Sequence, residues 1–258
     1  MAIAVRLPLA ELRTAFGDHL QENVRMSNYT TSQVGGTADA FLNVYSAEEM
    51  EKAVKALWQL NAAFIVIGSG TNILVSDRGI REVVINNRAK TVKVDAHHTP
   101  PTVWAESGAN LSSVARQVAL RGLAGLEWAA PIPGTVGGAV YGNAGAHGAD
   151  MASNLVLAEI LHPIQGKVAY SGDQMGYAYR SSILKRSREG AVILAARMQL
   201  SQETPQKVQE RMEANLAQRR KTQPAGASLG SMFKNPQGDY AGRLIEAAGL
   251  KGTRIGGV

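Results

Sequence analysis

Residues 131–148 read Pro-Ile-Pro-Gly-Thr-Val-Gly-Gly-Ala-Val-Tyr-Gly-Asn-Ala-Gly-Ala-His-Gly. Six of them are glycine, most of the others are small, and the run is almost without charge. Glycine reaches φ > 0, and without a Cβ it lets the backbone come into contact with a ligand or another segment. Ordering such a run costs much chain entropy, so it needs a compensating role. Two readings stand: a loop packed under a small-residue core, or a backbone cradle whose N–H groups hold a large flat or phosphorylated ligand. A second glycine cluster favours the cradle. Gly68-Ser69-Gly70-Thr71-Asn72 follows directly on Phe64-Ile65-Val66-Ile67, an apolar run that reads as a buried strand. The N–H groups of such a loop can nest a pyrophosphate. The loop is not a dinucleotide fingerprint, because Ile73 stands where the third glycine belongs, and the chain has no P-loop motif. Two loops of this kind suit one elongated ligand held at two places.

Outward from these loops the chain alternates helical and extended patterns. Leu9, Leu12, Phe16 and Leu20 have helical spacing and predict a leading helix over 8–20. Phe41–Tyr45 is a short apolar stretch. Ser46 and Glu49 form a capping box before a helix carrying Met50, Val54, Leu57 and Trp58 on one side and ending near Asn61. Val83–Ile85 is a further strand, giving an αβ lobe over about residues 27–88. Val92–Ser107 alternates like β structure. Ser112–Arg121 reads as a helix with Val114, Ala115, Val118 and Ala119 inward, stopped by Gly122. Leu155–Leu161 and Ala191–Leu200 are strand candidates. Thr204 is the expected cap of a helix with Pro205 at its first position and Val208, Met212 and Leu216 one turn apart. A last helix is expected from about Tyr240 to Ala248.

The 258 residues include no cysteine, which excludes disulfides, thiolate metal sites and a cysteinyl nucleophile. His19, His97, His98, His147 and His162 lack the spacing of a helical metal site, so no metal is expected. A net charge of +6 suits anionic partners. The aromatics do not interleave with the basic residues, so nucleic acid is not the expected partner. No apolar stretch has the length of a membrane span, and the expected location is cytoplasmic.

Two further motifs carry chemistry. Gly230-Ser231-Met232-Phe233-Lys234-Asn235-Pro236 gathers a hydroxyl, a cation and an amide behind a glycine; the alternative is a turn closed by Asn-Pro. Ser231 lacks a nucleophile elbow, but a proton donor needs none. Tyr179-Arg180-Ser181-Ser182 sets a guanidinium fork, suited to a carboxylate or phosphate, beside two hydroxyls; a surface arginine in a loop is the alternative.

Taken together these pieces resemble the UDP-N-acetylenolpyruvoylglucosamine reductase (MurB) family. The matching elements are Thr31–Gly36, Gly68–Asp77, Gly125–Gly148, Tyr179–Ser182, Gln223-Pro224 and Gly230–Pro236, in the family's order. The resemblance implies an α+β protein. Two α/β subdomains of the vanillyl-alcohol-oxidase/PCMH flavin fold would clamp FAD, and a C-terminal α+β domain would close over the substrate. The implied division is an N-terminal helical segment at 1–26, flavin subdomains at 27–88 and 89–200, and a substrate domain from 201 to 258. The implied reaction is NADPH-dependent reduction of the enolpyruvyl ether of UDP-N-acetylglucosamine to UDP-N-acetylmuramate, with a monomer as the expected working form.

The cofactor-binding residues so implied are Gly68, Ser69, Gly70, Thr71 and Asn72 in one loop. In the other they are Pro133, Gly134, Thr135, Gly137, Gly138, Asn143, Ala144, Gly145 and Ala146. Ser231 matches the family's proton donor and Arg180 its active-site arginine. Tyr179, Lys234 and Asn235 would sit against the substrate, and Arg219, with Arg220 and Lys221, would meet the diphosphate. The family continues past the stretch seen here as Lys251–Gly257 into a segment bearing an active-site glutamate. This chain stops at Val258 and Glu246 lies in another motif, so flavin binding is expected to survive better than turnover. Two alternatives stay open: an oxidase of the same flavin fold, with His147 as the tether in place of cysteine, or an inactive flavin- or nucleotide-binding fragment.

Overall fold

Gly17, at φ +51°, ends the first helix, α1 (Leu9–Phe16), before the expected span is complete. The computed structural model describes residues 7–187, 189–223 and 226–255; Pro224, Gly256 and Gly257 of the matched motifs lie outside the described residues. Leu20 is therefore not helical. It opens β1 (Leu20–Arg25), which runs antiparallel to β2 (Thr37–Val44) with Leu20 opposite Leu42. Leu20 packs against the same core as Leu12, so apolar spacing alone did not separate a longer helix from a helix followed by a strand. α2 (Ala47–Gln59) starts at Ser46, whose hydroxyl accepts the Glu49 N–H at 3.1 Å. The Glu49 carboxylate takes the N–H of Tyr45 at 2.8 Å, one residue before the partner a capping box uses. β3 (Phe64–Ile67) and β4 (Ile80–Asn87) complete a sheet of order β1-β2-β4-β3, with β2, β4 and β3 parallel. Central in that sheet, β4 is buried continuously from Val83 to Asn87, as a parallel strand covered on both faces must be.

The second lobe contains β5 (Val92–Asp95), β6 (Thr102–Glu106), α3 (Leu111–Ala119), β7 (Leu123–Ala124) and α4 (Val136–Gly142). A hairpin of β8 (Gly145–Ala146) and β9 (Ala149–Asp150) follows, then β10 (Leu155–His162), β11 (Gly166–Ser171), α5 (Ile183–Ser187), β12 (Val192–Gln199) and β13 (Ser201–Gln202). Its main sheet has the order β11-β10-β12-β6-β5, antiparallel throughout. Val114, Ala115 and Val118 of α3 and Val136 and Val140 of α4 fill one core with Val103, Ile160 and Met198 of that sheet. The glycine-rich run is thus not a loop throughout. Thr135 caps α4 through its hydroxyl, and the helix is short because Asn143 turns left-handed at φ +46°.

The lobes are joined at Glu106, a buried carboxylate that accepts the N–H of Ala47 at 2.7 Å and of Thr91 at 2.8 Å. Ala47 is the first residue of α2, where the helix dipole favours a negative charge. Beyond the sheet, α6 (Pro205–Thr222) buries Val208 and Met212, with Leu216 half-buried. Thr204 stands at its cap position, but its hydroxyl makes no capping bond; Glu203 accepts the Thr204 N–H at 2.9 Å. Arg211 ties α6 to Glu127 at 2.8 Å. α7 (Ala241–Ala247) has no buried residue. No described helix is long and apolar enough to cross a membrane.

Candidate active site

The two glycine loops, about sixty residues apart in sequence, are in contact. Loop Gly68–Asn72 leaves the carboxyl end of β3, where ligands settle in parallel α/β sheets. A Cβ on Gly68 would stand 2.5 Å from the Thr135 hydroxyl, so only glycine allows this approach. Gly70 is at φ +63°, and a Cβ there would stand 1.9 Å from the carbonyl oxygen of Tyr29. The Thr71 hydroxyl donates to the Pro133 carbonyl at 3.4 Å, beside Gly134. Thr135 accepts the Gly138 N–H at 3.3 Å, and the Gly137 N–H donates to Ser107 O at 2.8 Å. One backbone wall results, not two holding points.

That wall bounds a cleft of about 430 Å³ on the side of Gly68, Ser69, Gly108 and Thr135. The rest of its lining is Asn28, Tyr29, Thr30 and Thr31 from the segment after β1, and Asn86, Asn87 and Arg88 at the end of β4. These residues are absent from the cofactor set drawn from sequence. Asn86-Asn87-Arg88 at the carboxyl end of a parallel strand was the available signal. The fit to FAD is good in kind. Bare backbone faces the cleft, polar amides and a cation line it, and the nearby Ser32 hydroxyl is buried with no partner among the described residues. Asn72 is exposed beside the cleft.

Further along the second loop, Asn143 and Gly145 also bond to the turn that carries Arg180. Asn143 donates to Asp150 at 3.0 Å and to Ala178 O at 3.3 Å and accepts the Ala152 N–H at 3.0 Å. Ala144 bonds back to α4, while Gly145 and Ala146 form the β8–β9 hairpin, with exposed His147 at its tip. Ala178 and Ser181 exchange backbone hydrogen bonds at 3.1 and 3.0 Å around Tyr179 and Arg180. Arg180 sits in the left-handed region at φ +56°, a strained place for a side chain of its size. Three groups hold it there. Its guanidinium donates to Gly145 O at 3.1 Å and lies 5.7 Å from the exposed Tyr179 ring, and the Lys185 ammonium donates to its carbonyl at 3.1 Å. The Ser182 hydroxyl ties the same turn to Tyr141 O of α4 at 2.6 Å. Burial pushes the Tyr177 phenol up, and it donates to Val140 O.

Lys185 was not among the residues singled out from sequence. Its ammonium is held below the ordinary lysine range by burial first, then by the charges of Lys234 and Arg180. Lys234 and Arg180, from distant motifs, therefore share one electropositive neighbourhood. Ser231, exposed in the same segment as Lys234, donates its hydroxyl proton to Phe233 O at 3.0 Å. Asn235 accepts the Ala241 N–H at 3.1 Å, at the start of α7. Arg219, on the last turn of α6, is half-buried, and burial lowers its pKa.

The FAD binding domain family model matches residues 38–169, and that of the UDP-N-acetylenolpyruvoylglucosamine reductase C-terminal domain matches residues 220–258. The UDP-N-acetylenolpyruvoylglucosamine reductase of Chloroflexus aggregans is 43% identical over 242 residues, covering 92% of this chain and 81% of its own. That of Bacillus subtilis is 40% identical, covering 91% and 77%. The crystal structure of the Thermus caldophilus enzyme superposes with a TM-score of 0.77 at 35% identity, over 90% of this chain and 81% of that one. A cholesterol oxidase from Brevibacterium sterolicum, at 13% identity and a TM-score of 0.54 over 71% of this chain and 38% of that one, shares the fold.

Proposed function

The chain belongs to the UDP-N-acetylenolpyruvoylglucosamine reductase family, and from that premise we propose that it reduces UDP-N-acetylglucosamine enolpyruvate to UDP-N-acetylmuramate with FAD and NADPH. The observation that carries this reading is the glycine-walled cleft lined by Thr31, whose hydrogen bonds to Ser228 bring the Ser231–Lys234 segment to it. When bound, FAD supplies the relay of a hydride from NADPH to C3 of the enolpyruvyl group. The chain's own residues do the rest. Thr135, Ser69 and the N–H groups of the two glycine loops hold the flavin and its diphosphate.

Arg180 takes the substrate carboxylate in a bidentate grip and, with Lys234, stabilises the negative charge that builds at C2 and the carboxylate. The left-handed turn fixes that guanidinium before substrate arrives, so little reorganisation is left for the reaction. Ser231 gives its hydroxyl proton to C2, so one hydride and one proton are added across the double bond. Tyr179 and Asn235 face the sugar-nucleotide, and Arg219 meets its diphosphate. The same cationic neighbourhood accepts NADPH before the substrate. In this reading residues 27–88 and 89–200 hold the flavin, residues from 201 onward meet the substrate, and a monomer works in the cytoplasm.

An absorbance experiment tests it. The purified protein carries flavin bands that bleach with anaerobic NADPH and return on adding UDP-N-acetylglucosamine enolpyruvate. A protein that takes up no FAD, or whose reduced flavin is reoxidised by oxygen but not by the sugar, overturns the reading.

A further inference from the structure

The segment carrying Ser231 and Lys234 is fastened to the rest of the molecule at one residue. Among the described residues, no apolar side chain beyond Met212 is buried. The described hydrogen bonds between residues 226–255 and the rest of the protein are two, and Thr31 makes both. Its hydroxyl donates to Ser228 O at 2.6 Å, with Gly70 O a second, longer acceptor at 3.2 Å, and its carbonyl accepts the Ser228 N–H at 3.2 Å. This two-way exchange is close to one rung of an antiparallel ladder, with a hydroxyl in place of one backbone N–H. The backbone N–H of Thr31 is left for the flavin side, where it donates to Gly70 O at 3.0 Å. Thr31 also lines the cleft. It therefore touches the glycine loop, the cleft and the Ser231 segment at once.

We propose that Thr31 is a positioning residue that clasps the Ser231 segment onto the flavin loops, so that filling the cleft and placing Ser231 are coupled. The coupling rests on the flavin reading above; the clasp itself does not. Ordering the loop that holds Thr31 removes part of the entropy cost of ordering the segment bonded to it.

Trypsin cleavage after the exposed Lys234, followed by mass spectrometry on the full chain, tests both parts. Without flavin, Thr31→Val is cut about five-fold faster than wild type, as expected where a local opening no longer has to break the hydroxyl's short bond to Ser228 O. Thr31→Ser keeps the hydroxyl and restores the wild-type rate. Ser228→Pro, which removes the N–H from the other side of the clasp, is also cut faster. FAD, added to saturation as judged by absorbance, slows cutting of the wild type and slows Thr31→Val much less.

The clasp is overturned if Thr31→Val and Ser228→Pro, folded by circular dichroism, are cut at the wild-type rate. It is equally overturned if Thr31→Ser is cut as fast as Thr31→Val. The coupling is overturned if FAD protects Thr31→Val as well as wild type. A wild type that binds no FAD defeats the flavin reading, and the flavin-free comparisons still decide the clasp. If Thr31→Val does not fold, Ser228→Pro decides it.

Discussion

The flavin-side loops and the Ser231 segment, both of which bond to Thr31, are built in opposite ways. Around Gly68, Gly70 and Thr135 the backbone is packed so closely that a single Cβ would collide with its neighbours. From Gly226 to Ile255 the side chains are exposed or half-buried, and apart from the Thr31 clasp the described hydrogen bonds are local. A cofactor that stays bound rewards a site formed in advance. A site that must admit NADPH, release it and admit a sugar-nucleotide needs one wall that can give way, and low local stability is how a fold provides that.

The sharpest way to break this contrast is at Gly70. Gly70→Val combines a left-handed φ with a clash against Tyr29 O, and it should cost at least about 3 kcal/mol and abolish FAD uptake. Denaturant unfolding and flavin titration read it, and a stable variant that still binds FAD would show that the wall is looser than described. Next comes Ser231→Ala, which should slow the return of flavin absorbance with the sugar by about a hundredfold while NADPH bleaching is unchanged. Equal slowing of both half-reactions would remove Ser231 from the proton-donor role.

Glu106→Gln leaves one of the two N–H groups that its buried carboxylate serves facing the wrong end of an amide, and about 2 kcal/mol of stability should be lost. An unchanged melting temperature would mean the lobes are joined mainly by their apolar contacts. The smallest effect is expected at Gly242 in α7, where a Cβ meets nothing within 4 Å. Gly242→Ala should raise stability by less than about 1 kcal/mol, or leave it unchanged. A clear loss of stability there would mean that α7 is packed against something the contrast overlooks.

The sequence was most readable where chemistry is local. The strand before Gly68, the α2 start at Ser46, the inward face of α3 and both glycine clusters follow from spacing and residue type. It was least readable where two states share one apolar pattern, as at Leu20, or where three of a helix's seven residues are glycine, as in α4. Helix propensity argues against Val136–Gly142, and burial of Val136 and Val140 with a Thr135 cap overrides it. Asn86, Asn87 and Arg88 carried a signal, a polar run at the end of a strand, but a turn reads the same way until the sheet order places that end at the cleft.

By itself, the sequence determined the family of chemistry. Glycine where a backbone must approach another chain segment, an arginine beside hydroxyls and a serine beside a lysine are residue types that no fold can supply afterwards. Only the tertiary structure decided that the two glycine loops are one wall and that Arg180 bonds to Gly145 O. It also decided that Thr31 holds the Ser231 segment. Those are distances between residues remote in sequence, and they are fixed by how two sheets and their helices pack, which no local pattern encodes.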